Sequence, residues 1–407
     1  MTAPLAREQF PALVANPGIV YLDSAATAQK PQRVVDAVTA QLAGQAANPG
    51  RGMYPWSTRA TRMLAAARDR TARFVGADGP EEIVFVSGTT VGLNAVAMSW
   101  GLANLRDEDE ILFSPLGHAS NVYPWVHLRQ VLARFGTNIA LVPYAVTATG
   151  AADPADIAAK VSSRTRLIVA THIHNLFGSM TTLAELRGTI DPSIRLCFDC
   201  SQSVGHVPVD VTSLGADFAA FSGHKMFGVP GTGVLYASRR VHHELAPFLP
   251  GGGSGVRLAD GALRELTMPG GLEGGTPDVA GIAGLAAAIE FIEEIGLDRI
   301  AAHGRALTRF LVDRLREIPG LTLLPGVAWD QDPVGYGIVA FRVDGVRSDD
   351  LGFALSSGGF YVRTGRHCLP AASGYDDSVR VSVHVYNSEQ ELDRFAGFLA
   401  LVTEGAG

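Results

Sequence analysis

Lys225 is the residue whose surroundings point most directly to chemistry. It lies in FSGHKMFG, residues 221–228, directly after a predicted buried strand and among small and polar residues. A lysine amine in such a place can form an imine with an aldehyde cofactor, and Ser222 and His224 beside it can bind a phosphate. A lone loop lysine is more often only a solvated surface residue, so the interpretation depends on the motifs that accompany this one.

A second motif, FDCSQSVGH, lies one predicted strand earlier along the chain. Asp199 ends that strand, where a buried carboxylate is costly without a cationic partner. A protonated pyridine nitrogen would be such a partner and would keep the cofactor ring an electron sink. Gln202 follows within reach of a phenolic oxygen on the same ring. The alternative for Asp199 is a helix N-cap.

Two further segments can hold a phosphate. VSGTTVGLN, residues 86–94, reads as strand, turn and helix, and places Gly88, Thr89 and Thr90 where backbone N–H groups are free. Thr276, in the segment GGTP, can reach the same phosphate from a second subunit.

The elements that carry these motifs predict an α/β fold with a mostly parallel sheet. Short apolar runs alternate with helix-like stretches such as 90–103 and 153–161, which is typical of βαβ units. Because the runs are apolar throughout, both faces of the sheet should be buried. Ligands in such sheets bind beyond the carboxyl ends of the strands, where the motifs above lie. The predicted strands are EEIVFVSG, DEILFSP, NIALVPY, RLIVATHI, RLCFDCS, DFAAFSG and GTGVLYAS.

The rest of the chain predicts a smaller α+β domain. Two Gly-rich segments flank a loop or hairpin, and helices follow over 279–294 and 297–317. The runs GLTLLPG, YGIVAFRV, GGFYVRTG and SVRVSVHVY then read as strands, and a helix over 388–403 closes the chain. We predict an N-terminal segment 1–20 that packs on the small domain, a large cofactor-binding domain 21–290 and a small domain 291–407.

Composition excludes several classes of protein. The net charge is −7, and no run of Lys or Arg offers a nucleic acid or an anionic membrane a basic surface. No apolar stretch is long enough to span a bilayer, and the first residues do not read as a signal peptide. The three cysteines are too few for a disulfide framework and indicate a reducing cytoplasm. Cys197 and Cys200 have C-x-x-C spacing, but alternation along a strand points them to opposite faces of the core.

The whole set of motifs resembles the class V aminotransferases of pyridoxal 5′-phosphate (PLP) fold type I, and within them the type II, sulfur-mobilisation cysteine desulfurases. The resemblance runs over nearly the whole chain and implies PLP bound in a large domain with a mostly parallel seven-stranded sheet. It also implies a homodimer with shared active sites. The matching segments are YLDSAATAQKP, EEIVFVSGTTVGLNAVAMSWG, THIHNLFG, FDCSQSVGHVPVDV, FSGHKMFG, LEGGTP, RTGRHC and SVRVSVHVYN.

The resemblance also implies a role for each matching residue. Lys225 would carry PLP as a Schiff base and later move a proton, while Asp199 and Gln202 would contact the ring. The phosphate would contact Gly88, Thr89, Thr90, Ser222, His224 and a partner subunit's Thr276. The substrate carboxylate would contact Asn175 and Arg380. The substrate side of the pocket would be lined by Ala26, Arg363 and, from the neighbouring subunit, Arg51.

Cys368 matches the family's mobile-loop nucleophile, which takes the sulfur of substrate cysteine as a persulfide and passes it to an acceptor protein. Its neighbours Arg363, Arg366 and His367 are cationic or can be, which favours a thiolate. A single cysteine near a strand end is otherwise most often passive.

The substrate side departs from the family pattern. The family has two histidines before a Ser/Ala-Asn step, and the second stacks on the cofactor ring and helps to transfer protons. Here the segment is LGHASNVYPW, so His118 matches the first histidine and Ala119 falls at the stacking position. Gly50 replaces another pocket histidine, and the loop after Cys368 is shorter. Either His118 substitutes after a small loop shift, or the reaction differs.

Three functions therefore compete. The first is a cysteine desulfurase that forms alanine and a persulfide on Cys368. The second is a PLP enzyme that cleaves the C–S bond of a cysteine S-conjugate, or removes its amine or carboxylate. The third is a scaffold or regulator without catalysis, against which Lys225, Asp199 and Arg380 all argue.

Overall fold

The computed structural model describes residues 2–44, 46–50, 52–264, 267–325, 335–370 and 373–404. Its strands in chain order are β1 Val20–Tyr21, β2 Ile83–Val86, β3 Glu110–Phe113, β4 Ala140–Pro143, β5 Thr165–Thr171, β6 Arg195–Asp199, β7 Phe218–Ser222, β8 Gly233–Ala237, β9 Arg257–Ala259, β10 Ala262–Arg264, β11 Leu321–Leu324, β12 Ile338–Val343, β13 Phe360–Tyr361, β14 Arg363–Thr364 and β15 Val379–Ser382.

Its helices in chain order are α1 Pro11–Val14, α2 Gln32–Gly44, α3 Pro55–Phe74, α4 Thr89–Ala95, α5 Leu102–Asn104, α6 Ala119–Arg134, α7 Pro154–Lys160, α8 Ala184–Arg187, α9 Val279–Ile295, α10 Leu297–Arg316, α11 Ser348–Ser357 and α12 Glu389–Glu404. A π-helical segment, Val96–Gly101, joins α4 to α5. Among the described helices, none combines the length and the apolar character that a bilayer crossing needs.

The largest sheet in the described part of the chain has seven strands in the order β2-β8-β7-β6-β5-β3-β4. The neighbours from β7 to β4 are parallel, whereas β8 runs antiparallel to both β7 and β2. The strand order reverses between β3 and β5, and such a switch point opens a crevice at the carboxyl ends of the strands. The predicted α/β fold with a mostly parallel seven-stranded sheet is therefore confirmed.

Apolar layers cover both faces of this sheet, which explains why its strands are apolar throughout. Along β6, Cys197 points into one layer and Phe198 into the other. Cys200, just beyond the strand end, lies in the same layer as Phe198. The two cysteines of the C-x-x-C spacing are thus buried in different layers, as predicted, and cannot act together on one substrate.

A second sheet, with the order β11-β12-β15-β14, is antiparallel and packs with α10, α11 and α12 around its own apolar core. The predicted helices over 279–294 and 297–317 are confirmed as α9 and α10, and the predicted hairpin is β9–β10. The division of the chain at residues 20 and 290 stays a prediction.

Two strand predictions in this region were wrong in detail. GGFYVRTG forms two short strands, because β13 pairs with β1 near the N-terminus while β14 pairs with β15. The strand predicted over SVRVSVHVY ends at Ser382. Beyond it the backbone turns, since the amide of His384 donates to Oδ1 of Asn387 at 2.9 Å and the amide of Asn387 donates to the carbonyl of His384 at 3.0 Å.

Three histidines from separate elements lie close together beside the second sheet. His206 follows β6, His303 lies on α10 and His384 follows β15; the rings of His206 and His384 stack with centroids 4.2 Å apart. Burial lowers the pKa of His206 to about 4 and holds the pKa of His384 well below its usual value. Burial also lowers the pKa of His303. These imidazoles are therefore neutral in the folded protein at neutral pH.

We expect this cluster to make the fold sensitive to acid. An unfolded histidine has a pKa of about 6.5, so below that pH the unfolded chain binds more protons and the free energy of unfolding falls. Urea denaturation followed between about pH 6.5 and 5 should show this loss, and His206→Asn should reduce the proton uptake on unfolding by about one. The exposed His127, changed to Asn, serves as the control. Equal pH slopes for the two variants and the parent would contradict the expectation.

Candidate active site

A pocket of about 220 Å³ lies where the segments following β2, β3, β5, β6 and β7 meet the second sheet. Most of the residues predicted from the sequence line it: Ala26, Thr89, Thr90, His118, Asn175, Asp199, Gln202, Ser222, His224, Lys225, Arg363, Cys368 and Arg380. The lining also contains Ala25, Ser120, Ser201 and His367. The fold thus brings together side chains that lie up to several hundred residues apart.

Three predicted residues are not part of this lining. Thr276 borders a separate depression, together with the Gly-rich segment 251–254. Gly88 lies just behind the pocket, where a Cβ atom on the neighbouring Gly233 would come within 2.6 Å of the Gly88 Cα atom. The close approach of the two backbones therefore requires glycine at position 233, while a Cβ atom on Gly88 would lie 3.2 Å from Oγ of Ser222. Arg51 lies outside the described residues.

Lys225 ends a 3₁₀ turn, Gly223–Lys225, that follows β7 directly. Residues near the N-terminus stabilise this turn, because the carbonyl of His224 accepts hydrogen bonds from the amide of Ala28 at 2.9 Å and from Nζ of Lys30 at 3.1 Å. Burial lowers the pKa of Lys225, and the charge of Asp199 opposes that shift. The amine is therefore shifted toward its neutral, nucleophilic form.

Asp199 ends β6 with its side chain almost fully buried, at 4% exposure. One carboxylate oxygen accepts the amide of Ser201 at 2.9 Å. Among the described residues no cationic side chain lies within salt-bridge distance of it. A buried carboxylate in this state calls for a cationic partner, such as a protonated ring nitrogen.

Gln202 presents a second unsatisfied group to the pocket. Its Nε2 donates to the carbonyl of Ala25 at 2.8 Å, while its Oε1 is buried without a hydrogen-bond partner among the described residues. Since the assignment of the amide atoms follows the hydrogen-bond network, this side chain can offer either a donor or an acceptor to a ring oxygen. Asp199 and Gln202 together fit a pyridoxal ring.

Three hydroxyl groups form a compact cluster at the ends of β2, β6 and β7. Oγ1 of Thr89 lies 2.7 Å from Oγ of Ser201 and 2.8 Å from Oγ of Ser222. The amide of Thr89 also donates to Oγ of Ser222, at 2.9 Å. Hydroxyl and backbone donors gathered in this way can surround a phosphate group. Ser201 was not predicted, although it lies in the same motif as Asp199.

His118 lines the pocket, whereas Ala119, at the position of the family's second histidine, does not. His118 caps α6, and its Nδ1 accepts the amide of Ser120 at 3.1 Å, so Nε2 carries the proton of the neutral ring. Burial, reinforced by the positive charge of Lys225, lowers the pKa of His118 to about 4. The ring is therefore neutral at physiological pH. The backbone amide of Ala119 instead donates to the carbonyl of Cys368, at 2.9 Å.

A strongly basic corner lies on the second-sheet side of the pocket. Arg380 is 3% exposed and donates to the carbonyl of Asn175 at 3.0 Å and to Oδ1 of Asp23 at 3.0 Å. Arg363, half-exposed, lies 3.8 Å from Oδ2 of the same aspartate. These guanidinium groups suit a carboxylate. Asp23 was not predicted as a site residue, and nothing in its sequence context distinguishes it from a turn residue.

Cys368 lies on an unusual stretch of backbone between β14 and β15. His367 and Cys368 both have positive φ angles, of 52° and 58°, which non-glycine residues rarely adopt. The carbonyl of His367 accepts Nδ2 of Asn175 at 2.8 Å, and the carbonyl of Cys368 accepts the amide of Ala119. Asn175, from the pocket lining, and the adjacent Ala119 therefore hold the Cys368 backbone in place, while the Cys368 residue is exposed at the pocket surface.

Comparison with known proteins gives a consistent result. The sequence model of the class V aminotransferases matches residues 20–395. A probable cysteine desulfurase of Halalkalibacterium halodurans is 36% identical, with 100% of this chain and 99% of that protein covered.

Solved structures agree with the sequence matches. The apo structure of a cysteine desulfurase from Thermococcus onnurineus superposes with a TM-score of 0.90, at 32% identity and over 100% of this chain and 99% of that one. A mutant of C-DES with glycine covalently linked to its PLP cofactor has a TM-score of 0.82 and 25% identity, and the match covers 97% of this chain and 98% of that chain.

Proposed function

The chain belongs to the class V aminotransferase family, and from that premise we propose that it is a PLP-dependent cysteine desulfurase. It converts L-cysteine to L-alanine and keeps the sulfur as a persulfide on Cys368. The observation that carries the proposal is that Cys368, Lys225 and Arg380 line one pocket. A thiol, an amine and a carboxylate-binding group are thereby available to a single amino acid.

The residues around Lys225 fit PLP, which supplies an aldehyde for covalent attachment and an electron sink for the substrate's α-carbon. Lys225 would provide the attachment point, and its Nζ would accept the α-proton of the substrate. Asp199 would keep the ring nitrogen protonated, and Gln202 would bind the ring oxygen. The hydroxyl cluster of Thr89, Ser201 and Ser222 would hold the phosphate, together with His224 and Thr90.

The basic corner orients the substrate. Arg380 and Asn175 bind the α-carboxylate, and Arg363 adds positive charge at the pocket entrance. This orientation directs the substrate side chain toward Cys368, whose thiolate attacks the γ-sulfur as the carbon–sulfur bond breaks. His118, neutral and with its proton on Nε2, would act as a hydrogen-bond donor in the pocket in place of the family's second histidine, which is alanine at position 119.

The proposal is tested by the products. Purified holoenzyme given L-cysteine and a reductant should form alanine and sulfide in equal amounts. S-substituted cysteines, given in parallel, should yield little pyruvate or ammonia. Pyruvate and ammonia from an S-conjugate, with free cysteine left unused, would overturn the proposal.

Ala119 favours a second candidate function. Because alanine follows His118 where the family has a second histidine, proton transfer at this face of the pocket differs from the family pattern. A C–S lyase acting on a cysteine S-conjugate would give pyruvate and ammonia in the same assay. A deaminating or decarboxylating enzyme would instead release ammonia or carbon dioxide from the S-conjugate and leave its C–S bond intact.

We further propose that the enzyme works as a homodimer in a reducing cytoplasm and passes its sulfur to an acceptor protein. A large depression lined by residues of the segments 48–50, 248–256 and 272–278 supports the dimer. Thr276 is one of its lining residues, and residues 48–50 directly precede Arg51 in the chain. A second subunit covering it would bring Thr276 to the partner's phosphate site. The three cysteines are unpaired, and the persulfide chemistry requires Cys368 to be a free thiol.

Thr89→Val should weaken cofactor retention. The substitution keeps the shape of the side chain but removes the hydroxyl that joins Ser201 to Ser222. Loss of one hydrogen bond to a charged group costs about 1.5 kcal/mol, so the dissociation constant for PLP should rise about tenfold. Cofactor release during dialysis measures this change. Thr322→Val, on an exposed position of β11, is the matched control and should release no more cofactor than the parent.

A further inference from the structure

Arg363 and Arg380 stand directly opposite each other on the antiparallel strands β14 and β15. Like charges in directly opposite positions repel, and the burial of Arg380 strengthens the effect by removing solvent. Such a pair calls for a compensating anion. Asp23 provides it, with Oδ1 at 3.0 Å from Arg380 and Oδ2 at 3.8 Å from Arg363.

The backbone fixes the place of Asp23. Asp23 forms an isolated parallel bridge with Ser382, which lies on the same strand as Arg380. The amide of Ser382 donates to the carbonyl of Leu22 at 2.8 Å, and the amide of Ala26 donates to the carbonyl of Asp23 at 3.0 Å. Asp23 is therefore part of the frame that joins the 21–26 segment to the second sheet, and its carboxylate is presented to both arginines at once.

The two opposed arginines and Asp23 together carry a single positive charge. Two guanidinium groups face one carboxylate, and the nearby His367 is neutral because burial lowers its pKa to about 3. One further negative charge completes the balance, and an amino-acid α-carboxylate carries one. A dianion would leave an unbalanced negative charge in a largely buried corner.

We propose that Asp23 is a specificity-determining residue that restricts the carboxylate subsite to singly charged anions. This rests on the proposed function only in that Arg380, with Arg363 opposite it, belongs to the carboxylate subsite. Asp23 thereby disfavours dianions such as sulfate, which two uncompensated arginines would bind well.

Binding of inorganic sulfate to the PLP-loaded holoenzyme tests this proposal without any turnover. Asp23→Asn keeps an acceptor for Arg380 but removes the charge, and calorimetry at constant ionic strength should show sulfate binding at least about tenfold tighter than to the parent. Asp36→Asn, an exposed change of the same charge on α2, should bind sulfate as the parent does.

A second substitution separates charge from structure. Adding Arg363→Gln to Asp23→Asn restores the single positive charge, so sulfate affinity should return to that of the parent. Arg363→Gln alone, at a half-exposed position, should bind sulfate more weakly than the parent. Equal sulfate affinities in all these proteins, or a gain that Arg363→Gln does not reverse, would overturn the proposal. Because no product is measured, this result is independent of whether cysteine is the substrate.

Discussion

Lys225→Ala is expected to lose at least about three orders of magnitude in turnover, because one change removes both the attachment point of the cofactor and the base for the α-proton. No other described amine can take over. Lys30 is engaged with the carbonyl of His224 and the hydroxyl of Thr27, at 3.1 and 3.3 Å, and lies outside the pocket lining.

The measurement combines product formation with borohydride reduction and mass spectrometry of the trapped protein. The parent should carry reduced cofactor on Lys225, and Lys225→Ala should carry none. Lys160→Ala is the control, since Lys160 lies on the surface in an ion pair with Asp156. Covalent cofactor on the variant, or turnover within tenfold of the parent, would show that another residue has this role.

Cys368→Ser is expected to abolish alanine formation from cysteine, with a loss of at least about a thousandfold, while cofactor binding stays intact. A hydroxyl is a far weaker nucleophile than a thiolate toward sulfur and cannot hold a persulfide. Cys368 lines the pocket through a backbone that Ala119 and Asn175 hold in place, so serine should occupy the same position.

Mass spectrometry after a brief exposure to cysteine gives the second readout. The parent should gain the mass of one sulfur atom on the peptide that contains Cys368, and the serine variant should gain none. Cys197 and Cys200 are fully buried in the core and should stay unmodified. Unchanged alanine formation by Cys368→Ser would show that Cys368 is not the sulfur acceptor, whereas pyruvate and ammonia in place of alanine would favour the lyase alternative.

The sequence predicted the site well where function and strand position coincide. Lys225 and Asp199 follow buried parallel strands directly, and the carboxyl ends of such strands meet at one edge of the sheet. That Lys225 and Asp199 lie close together could therefore be inferred from their positions after successive strands in the sequence. The seven strands and the helices α9 and α10 could be predicted for the same reason, since their apolar patterns are long and regular.

Other features depend on contacts that no local pattern encodes. Asp23 becomes part of the basic corner because β1 pairs with β13, a pairing between residues more than three hundred positions apart. That pairing also divides the strand predicted over 358–365 into two. His118 enters the pocket while Ala119 does not, because the backbone of Ala119 is engaged with Cys368. The positive φ angles of His367 and Cys368 likewise come from tertiary hydrogen bonds, not from glycine or asparagine at those positions.

The pocket is assembled from segments that begin at Ala25 and end at Arg380, so it exists only in the fully folded chain. A ligand that binds the folded state alone stabilises it by mass action, by about 2.7 kcal/mol at a hundredfold excess over its dissociation constant. Supply of vitamin B6 should therefore govern how long each newly made molecule survives proteolysis, as well as how many molecules are active. In cells starved of the vitamin, we expect the protein to become scarce before its messenger RNA does.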